Sequence, residues 1–238
     1  MVNTPEGCLM RRIVEPELMD DQKQAEAYAQ ADFAQAHSRI VEAFDIYFPG
    51  VELAGRILDL GCGPGDITFR FADRYRRSLL IGVDGSAAMI RLANERKARE
   101  PQLRDRMTFV EGAIPGASIP AGPYVSVVSN SLLHHLHHPE VLWETVSEHA
   151  RAGSKIFIAD LLRPVSVEDA RRIVDQYSDG APEILRRDFY NSLLAAFEPR
   201  EIEQQLADAN LAELAVKQIS DRHVLVFGVK AHDHAAGG

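Results

Sequence analysis

The stretch Arg56-Ile57-Leu58-Asp59-Leu60-Gly61-Cys62-Gly63-Pro64-Gly65-Asp66 constrains this chain more than any other part of it. It opens as a short apolar run, bends through glycines at alternate positions, and enters the helical pattern Ile67-Thr68-Phe69-Arg70-Phe71-Ala72. Gly61, Gly63 and Gly65 remove Cβ from a turn whose backbone must come close to something or take a positive φ. A helix beginning there aims its first free N–H groups at the same spot. Strand, glycine bend and helix N-terminus together predict a cradle for a nucleotide-like ligand.

Spacing narrows the ligand. The dinucleotide fingerprint is G-x-G-x-x-G, whereas this bend reads G-x-G-x-G with Asp59 two residues before it. A second apolar run, Leu79-Leu80-Ile81-Gly82-Val83, ends in Asp84, and a carboxylate at the tip of a second strand can accept both hydroxyls of a ribose. A dinucleotide site and an empty βα turn are the competing readings.

The run D-L-G-C-G-P-G followed by Val83-Asp84-Gly85-Ser86 resembles the class I methyltransferases that use S-adenosylmethionine (SAM). The resemblance covers about residues 51–160 and 198–229. It implies that Asp59, Gly61, Cys62, Gly63 and Gly65 surround the methionine end of SAM, that Asp84 and Gly85 meet the ribose, and that Met89 packs on the adenine. Gly112-Ala113-Ile114 would hold the adenine edge, although Ala113 stands where that family often has Asp. Asn130 would border the same crevice, and S-adenosylhomocysteine (SAH) would be the product.

Periodicity predicts the frame independently. Strands at Arg56–Leu60, Leu79–Asp84, Met107–Val110, Tyr124–Ser129 and Lys155–Asp160 alternate with helices at Asp66–Tyr75, Ala87–Arg99 and Pro139–His149. Such alternation argues for a parallel sheet with right-handed crossovers and a crevice beyond the strand tips. A helix over Glu198–Ala209 and strands over Leu211–Ser220 and His223–Val229 close the pattern. The expected fold is therefore α/β: a Rossmann-like, seven-stranded, mostly parallel sheet flanked by helices, with an antiparallel C-terminal strand pair and a helical cap. Residues 1–50 read as an arm and helical lid, with two helices broken near Phe33–His37. Residues 51–160 and 198–230 read as the SAM-binding core, and 161–197 as a cap of two helices, Val167–Tyr177 and Ala181–Phe197.

The cap and the lid should choose the acceptor. Arg163, Arg187, Asp188, Tyr190 and Asn191 in the cap, with Phe33 in the lid, are the expected acceptor contacts, and Tyr28 is a candidate catalytic side chain; the two arginines suggest an anionic small molecule. After the fourth strand comes Asn130-Ser131-Leu132-Leu133-His134-His135-Leu136-His137-His138. His titrates near neutrality, so His134, nearest the strand end, is the candidate base, while His137 and His138 decorate the next helix. No metal is expected there, because neighbouring histidines need not converge on one ion and no Cys or carboxylate follows at ligand spacing.

Composition sets the remaining bounds. The 238 residues carry a net charge of −9, which disfavours a phosphate-backbone surface. Nucleic acid is thus an unfavoured partner, and a tRNA methyltransferase an unfavoured alternative. No apolar run reaches the ~18 residues of a membrane span, and the N-terminal residues lack an apolar signal core, so a cytoplasmic monomer or homodimer is expected. Cys8 and Cys62 make no disulfide framework. Non-methylating SAM chemistry, or ligand binding without catalysis, is the alternative to methyl transfer onto an O, N, S or C acceptor.

Overall fold

The computed structural model describes residues 10–15, 28 and 34–231, apart from the side chains of 34 and 35. In chain order the elements are α1 (Ala34–Tyr47), β1 (Gly55–Leu60), α2 (Asp66–Arg74), β2 (Ser78–Asp84), α3 (Ala87–Ala98), α4 (Pro101–Arg104), β3 (Met107–Glu111) and β4 (Tyr124–Asn130). A 3₁₀ turn at Leu133–His135 then leads to α5 (Glu140–His149), β5 (Ala150–Leu161), α6 (Val167–Tyr177), α7 (Glu183–Ala195), α8 (Pro199–Asp208), β6 (Ala215–Gln218) and β7 (His223–Val229).

One seven-stranded sheet runs in the order β3-β2-β1-β4-β5-β7-β6. The first five strands are parallel, and β7 pairs antiparallel with both β5 and β6. Winding proceeds outward from β1 to β3, then resumes on the other side at β4. That reversal leaves a crevice at the tips of β1 and β4, where open α/β sheets bind ligands.

Side chains alternate across each strand, and the two faces bury two cores. Leu58 and Leu60 of β1 face Leu142, Trp143 and Val146 of α5 and Ile202 and Leu206 of α8. Ile57 faces the opposite layer, with Val41 and Phe44 of α1 and Ile67, Phe71 and Ala72 of α2. The cap is fastened separately: Ile173 and Val174 of α6 and Leu193 of α7 pack on Leu161 at the end of β5.

Local signals set several ends. The Ser86 hydroxyl caps α3 by accepting the Met89 N–H, and Ser166 caps α6 through Asp169 N–H. Glu198 and Glu201 form a capping box around Pro199 at the start of α8. Other ends differ from the sequence expectation. α1 starts at Ala34, within the range expected for the break, and runs on through His37; of the expected earlier helix only Tyr28, which is helical, is among the described residues, and Cys8 and Phe33 lie outside them. β5 begins at Ala150 because its polar start still pairs: Ala150 lies opposite Tyr124, whose carbonyl accepts the Ser154 hydroxyl. β6 is shorter than expected, since Leu211 and Leu214 are buried against the core before the strand begins.

Candidate active site

At the bend after β1, Gly61, Gly63 and Gly65 have φ of +68°, +52° and +88°, a region that side chains with a Cβ rarely adopt. The N–H groups of Gly61 and Cys62 both donate to the Val83 carbonyl, at 2.8 and 3.0 Å, tying the bend to β2. A Cβ on Gly61 would lie 2.8 Å from Leu132, whereas one on Gly63 would meet nothing within 4 Å. Gly63 is therefore where the backbone lies bare to the crevice. At Gly65 the crowding comes from aromatic rings. Phe69 and Phe109 stand 3.0 Å from its Cβ position, so this glycine admits packing rather than a ligand.

The two strand-tip carboxylates flank this bend. Strand alternation turns Asp59 toward α2, where it is 1% exposed and accepts the Thr68 hydroxyl at 2.5 Å. Burial pushes its pKa up to about 7, against the Thr68 hydrogen bond and with the Asp84 charge adding to the rise. A carboxyl held in that state is ready for a cation. Asp84 accepts from Gly63 N–H and from Ser86 N–H, both at 2.8 Å. The Cys62 thiol is buried and its pKa raised, first by burial and then by Asp59 and Asp84, so it packs as a small apolar group.

A cavity of about 1490 Å³ opens beyond these tips. That exceeds the ~300–1,000 Å³ usual for one ligand and leaves room for two. Asp59, Gly61, Cys62, Gly63, Asp84, Gly85, Met89, Gly112, Ala113, Ile114 and Asn130 all border it.

The far end of the cavity is built around His134. Its side chain is 2% exposed, and its Nδ1–H donates to Asp160 Oδ1 at 2.6 Å. Asp160, at the end of β5, is held in turn by the N–H groups of Leu133 and Leu161, each at 2.7 Å. Burial alone would lower the pKa of His134, but Asp160 and Glu15 raise it above the usual imidazole value. Burial alone would raise that of Asp160, and His134 with the two N–H groups holds it below the usual carboxylate range. The pair leaves Nε2 facing the Glu15 carboxylate at 3.6 Å. Ser131, just past β4 and bordering the cavity, holds φ of 59°, a conformation that non-glycine residues keep only where the surroundings enforce it.

Residues 10–15 lie across this end. Arg12 donates to the carbonyls of Ala195 at 2.6 Å and of His134 and Leu136 at 2.9 Å, with its guanidinium 4.0 Å from the Phe197 ring centre. Glu15 accepts the Ser192 hydroxyl at 2.9 Å. The arm joins α7 to the histidine turn.

The expected acceptor contacts divide. Tyr28 and Asp188 border the cavity, and burial pushes the Tyr28 phenol up to about 12. Arg163 does not reach the cavity: its side chain is 5% exposed and donates to Glu198 and Glu201, each at 2.9 Å, because β5 turns it under α8. Arg187 points outward and pairs with Asp188. Tyr190 packs on the cap core, Asn191 does not border the cavity, and Phe33 falls outside the described residues. His138 is exposed beside Glu140. Sequence reasoning missed Asp160, Ser131, Ser192 and Glu15. Asp160 had a signal, since it ends a strand as Asp59 and Asp84 do; Glu15 had none.

The comparisons agree with this geometry. Residues 57–153, about two fifths of the chain, match a family model described as a methyltransferase domain. A trans-aconitate 2-methyltransferase of Deinococcus radiodurans is 34% identical over 104 residues, covering 43% of this chain and 36% of that protein. An erythromycin 3''-O-methyltransferase of Saccharopolyspora erythraea is 25% identical over 178 residues, 72% of this chain and 55% of the relative. The chain thus spans little more than a third of the length of the first curated relatives it matches. The plantazolicin methyltransferase BpumL, solved with SAH, superposes with a TM-score of 0.67 at 18% identity over 89% of this chain and 91% of its own. Residues 57–153 therefore match a methyltransferase domain, and the fold is the one seen in a methyltransferase solved with SAH.

Proposed function

We propose that this chain transfers the methyl group of SAM to a small polar acceptor bound between the tips of β4 and β5 and the cap. One observation carries the reading: Asp59 and Asp84, on adjacent strand tips, flank a glycine bend whose bare point, Gly63, opens into the same cavity. The donor set fits the cofactor's chemistry. A buried carboxyl suits an ammonium, a strand-tip carboxylate suits ribose hydroxyls, and the apolar wall of Met89 and Ile114 suits a base. Bound SAM supplies a methyl group already activated on a sulfonium.

The rest is the work of side chains. The closed end around Arg12 and Glu15 shuts out water, and alignment of acceptor and methyl supplies most of the rate. Displacement forms one bond to the methyl carbon as the bond to sulfur breaks, and SAH leaves. His134, held in one orientation by Asp160, accepts the acceptor's proton at Nε2. The two arginines that suggested an anionic acceptor do not serve it: Arg163 is spent on Glu198 and Glu201 and Arg187 faces outward, while Arg39, Arg222 and Asp188 border the cavity.

Incubation with methyl-labelled SAM and a panel of hydroxyl- and amine-bearing metabolites tests the proposal. Label in an acceptor together with stoichiometric SAH is the expected result. SAM consumed without label transfer would instead favour a non-methylating reaction, and SAH binding without turnover a binding module.

A further inference from the structure

His134, His135 and Glu15 converge although the sequence separates them widely. His135 Nδ1 lies 3.3 Å from Glu15 Oε1 and His134 Nε2 lies 3.6 Å from the same oxygen. All three ligand atoms fall within 4.8 Å of one another. In a tetrahedral zinc site with bonds of about 2.0–2.1 Å, ligand atoms stand roughly 3.3 Å apart. The Glu15 edges already have nearly that length, so a small rotation of the imidazoles completes the triangle.

The surroundings fit a metal better than an ion pair alone. The rings of His134 and His135 lie with centroids 4.2 Å apart and planes tilted by 36°, and each turns a ring nitrogen toward the same Glu15 oxygen. Those nitrogens and that oxygen can be donors to one cation. His134 also has the support that metal-bound histidines typically show, its other nitrogen donating to a carboxylate, here Asp160 at 2.6 Å. Glu15 is steadied by Ser192. Both histidines border the cavity, so a fourth position would face the acceptor.

We propose that Glu15, His134 and His135 form a three-ligand site for a divalent transition metal of the zinc, cobalt or nickel type, open toward the acceptor. The site rests on the proposed methyl transfer only in where the acceptor lies. Its open position suits a hydroxyl oxygen of that acceptor. Metal binding and proton abstraction use the same Nε2 lone pair, so they belong to two forms: His134 is the base in the metal-free chain and a ligand in the loaded one.

The test uses the full chain, stripped with chelator and titrated with Co²⁺ followed by absorption, then with Zn²⁺ in competition. One equivalent should bind and give the intense visible bands of a tetrahedral, imidazole-bearing site. Glu15→Gln and His135→Gln, each shown folded by circular dichroism, should each weaken binding at least about tenfold, as loss of a supporting group already does at metal sites. A His138→Gln variant, changed where the imidazole lies exposed beside Glu140, should bind as the parent does. No stoichiometric binding overturns the site, as does binding that survives both Glu15→Gln and His135→Gln or is lost with His138. SAH affinity, measured by calorimetry on the same stripped protein, separates the two proposals: SAH binding without metal sinks only the site, and metal without SAH sinks only the methyl transfer it rests on.

Discussion

Asp84 Oδ2 lies 2.8 Å from the amide nitrogen of Gly63, so the carboxylate that ends β2 closes the bend that ends β1. One side chain thereby shapes the bend and borders the cavity, at the place proposed for the ribose. Asp84→Ala should leave the fold intact and weaken SAH binding by roughly 10–100-fold, the scale of losing a hydrogen bond to a charged group. Calorimetry beside circular dichroism checks both halves; unchanged affinity in a folded protein would remove the cofactor assignment.

Gly61 and Gly63 should fail differently when each is changed to Ala. Both have positive φ, which costs an L-residue about 1–2 kcal/mol. Gly61→Ala adds a clash with Leu132 and should lower the melting temperature more. Gly63→Ala should lose only that backbone cost in stability, yet lose SAH, because its methyl enters only the crevice.

Asp59 predicts a pH dependence of known sign. Its folded pKa of about 7 lies above the ordinary 3.8, so between those values the folded chain keeps a proton that the unfolded chain has lost. Its contribution to stability is fully present below pH 4 and is lost as pH rises through about 7. Asp59→Asn should remove that slope and stabilise the ligand-free protein at pH 8 by about 2–4 kcal/mol, on the scale of three pKa units, while weakening SAH. The parent's affinity for SAH should fall on acidification below pH 7, with a proton released on binding; melting curves and calorimetry in buffers of different ionisation enthalpy measure both.

Arg163 is a structural residue. Arg163→Met should destabilise the chain by about 2–4 kcal/mol by removing the guanidinium that Glu198 and Glu201 share, less than for a fully buried pair because Glu201 can hydrate. The acceptor KM should not move. A raised KM at unchanged stability would restore Arg163 to the acceptor site.

His134→Gln should lower kcat of the stripped enzyme by about 10²–10⁴, the usual worth of a positioned base, and leave SAH affinity unaltered. A loss of SAH affinity instead would place the imidazole against the cofactor.

The frame and the glycine-bend end of the cavity were legible in the chain itself, because both depend on neighbours in sequence. Period-two and helical spacing mark the strands and helices, and the bend from Asp59 to Gly65 carries its meaning in a few adjacent residues. Asp84 belongs to the same logic, one strand later. The acceptor end was not legible. Glu15 meets His134 and His135 only once the arm crosses the cap, and whether Arg163 reaches the cavity depends on which way β5 twists it under α8. Long-range approach and side-chain direction leave no periodic trace in sequence; they are decided when the layers pack, and with them which charges meet a ligand and which meet each other.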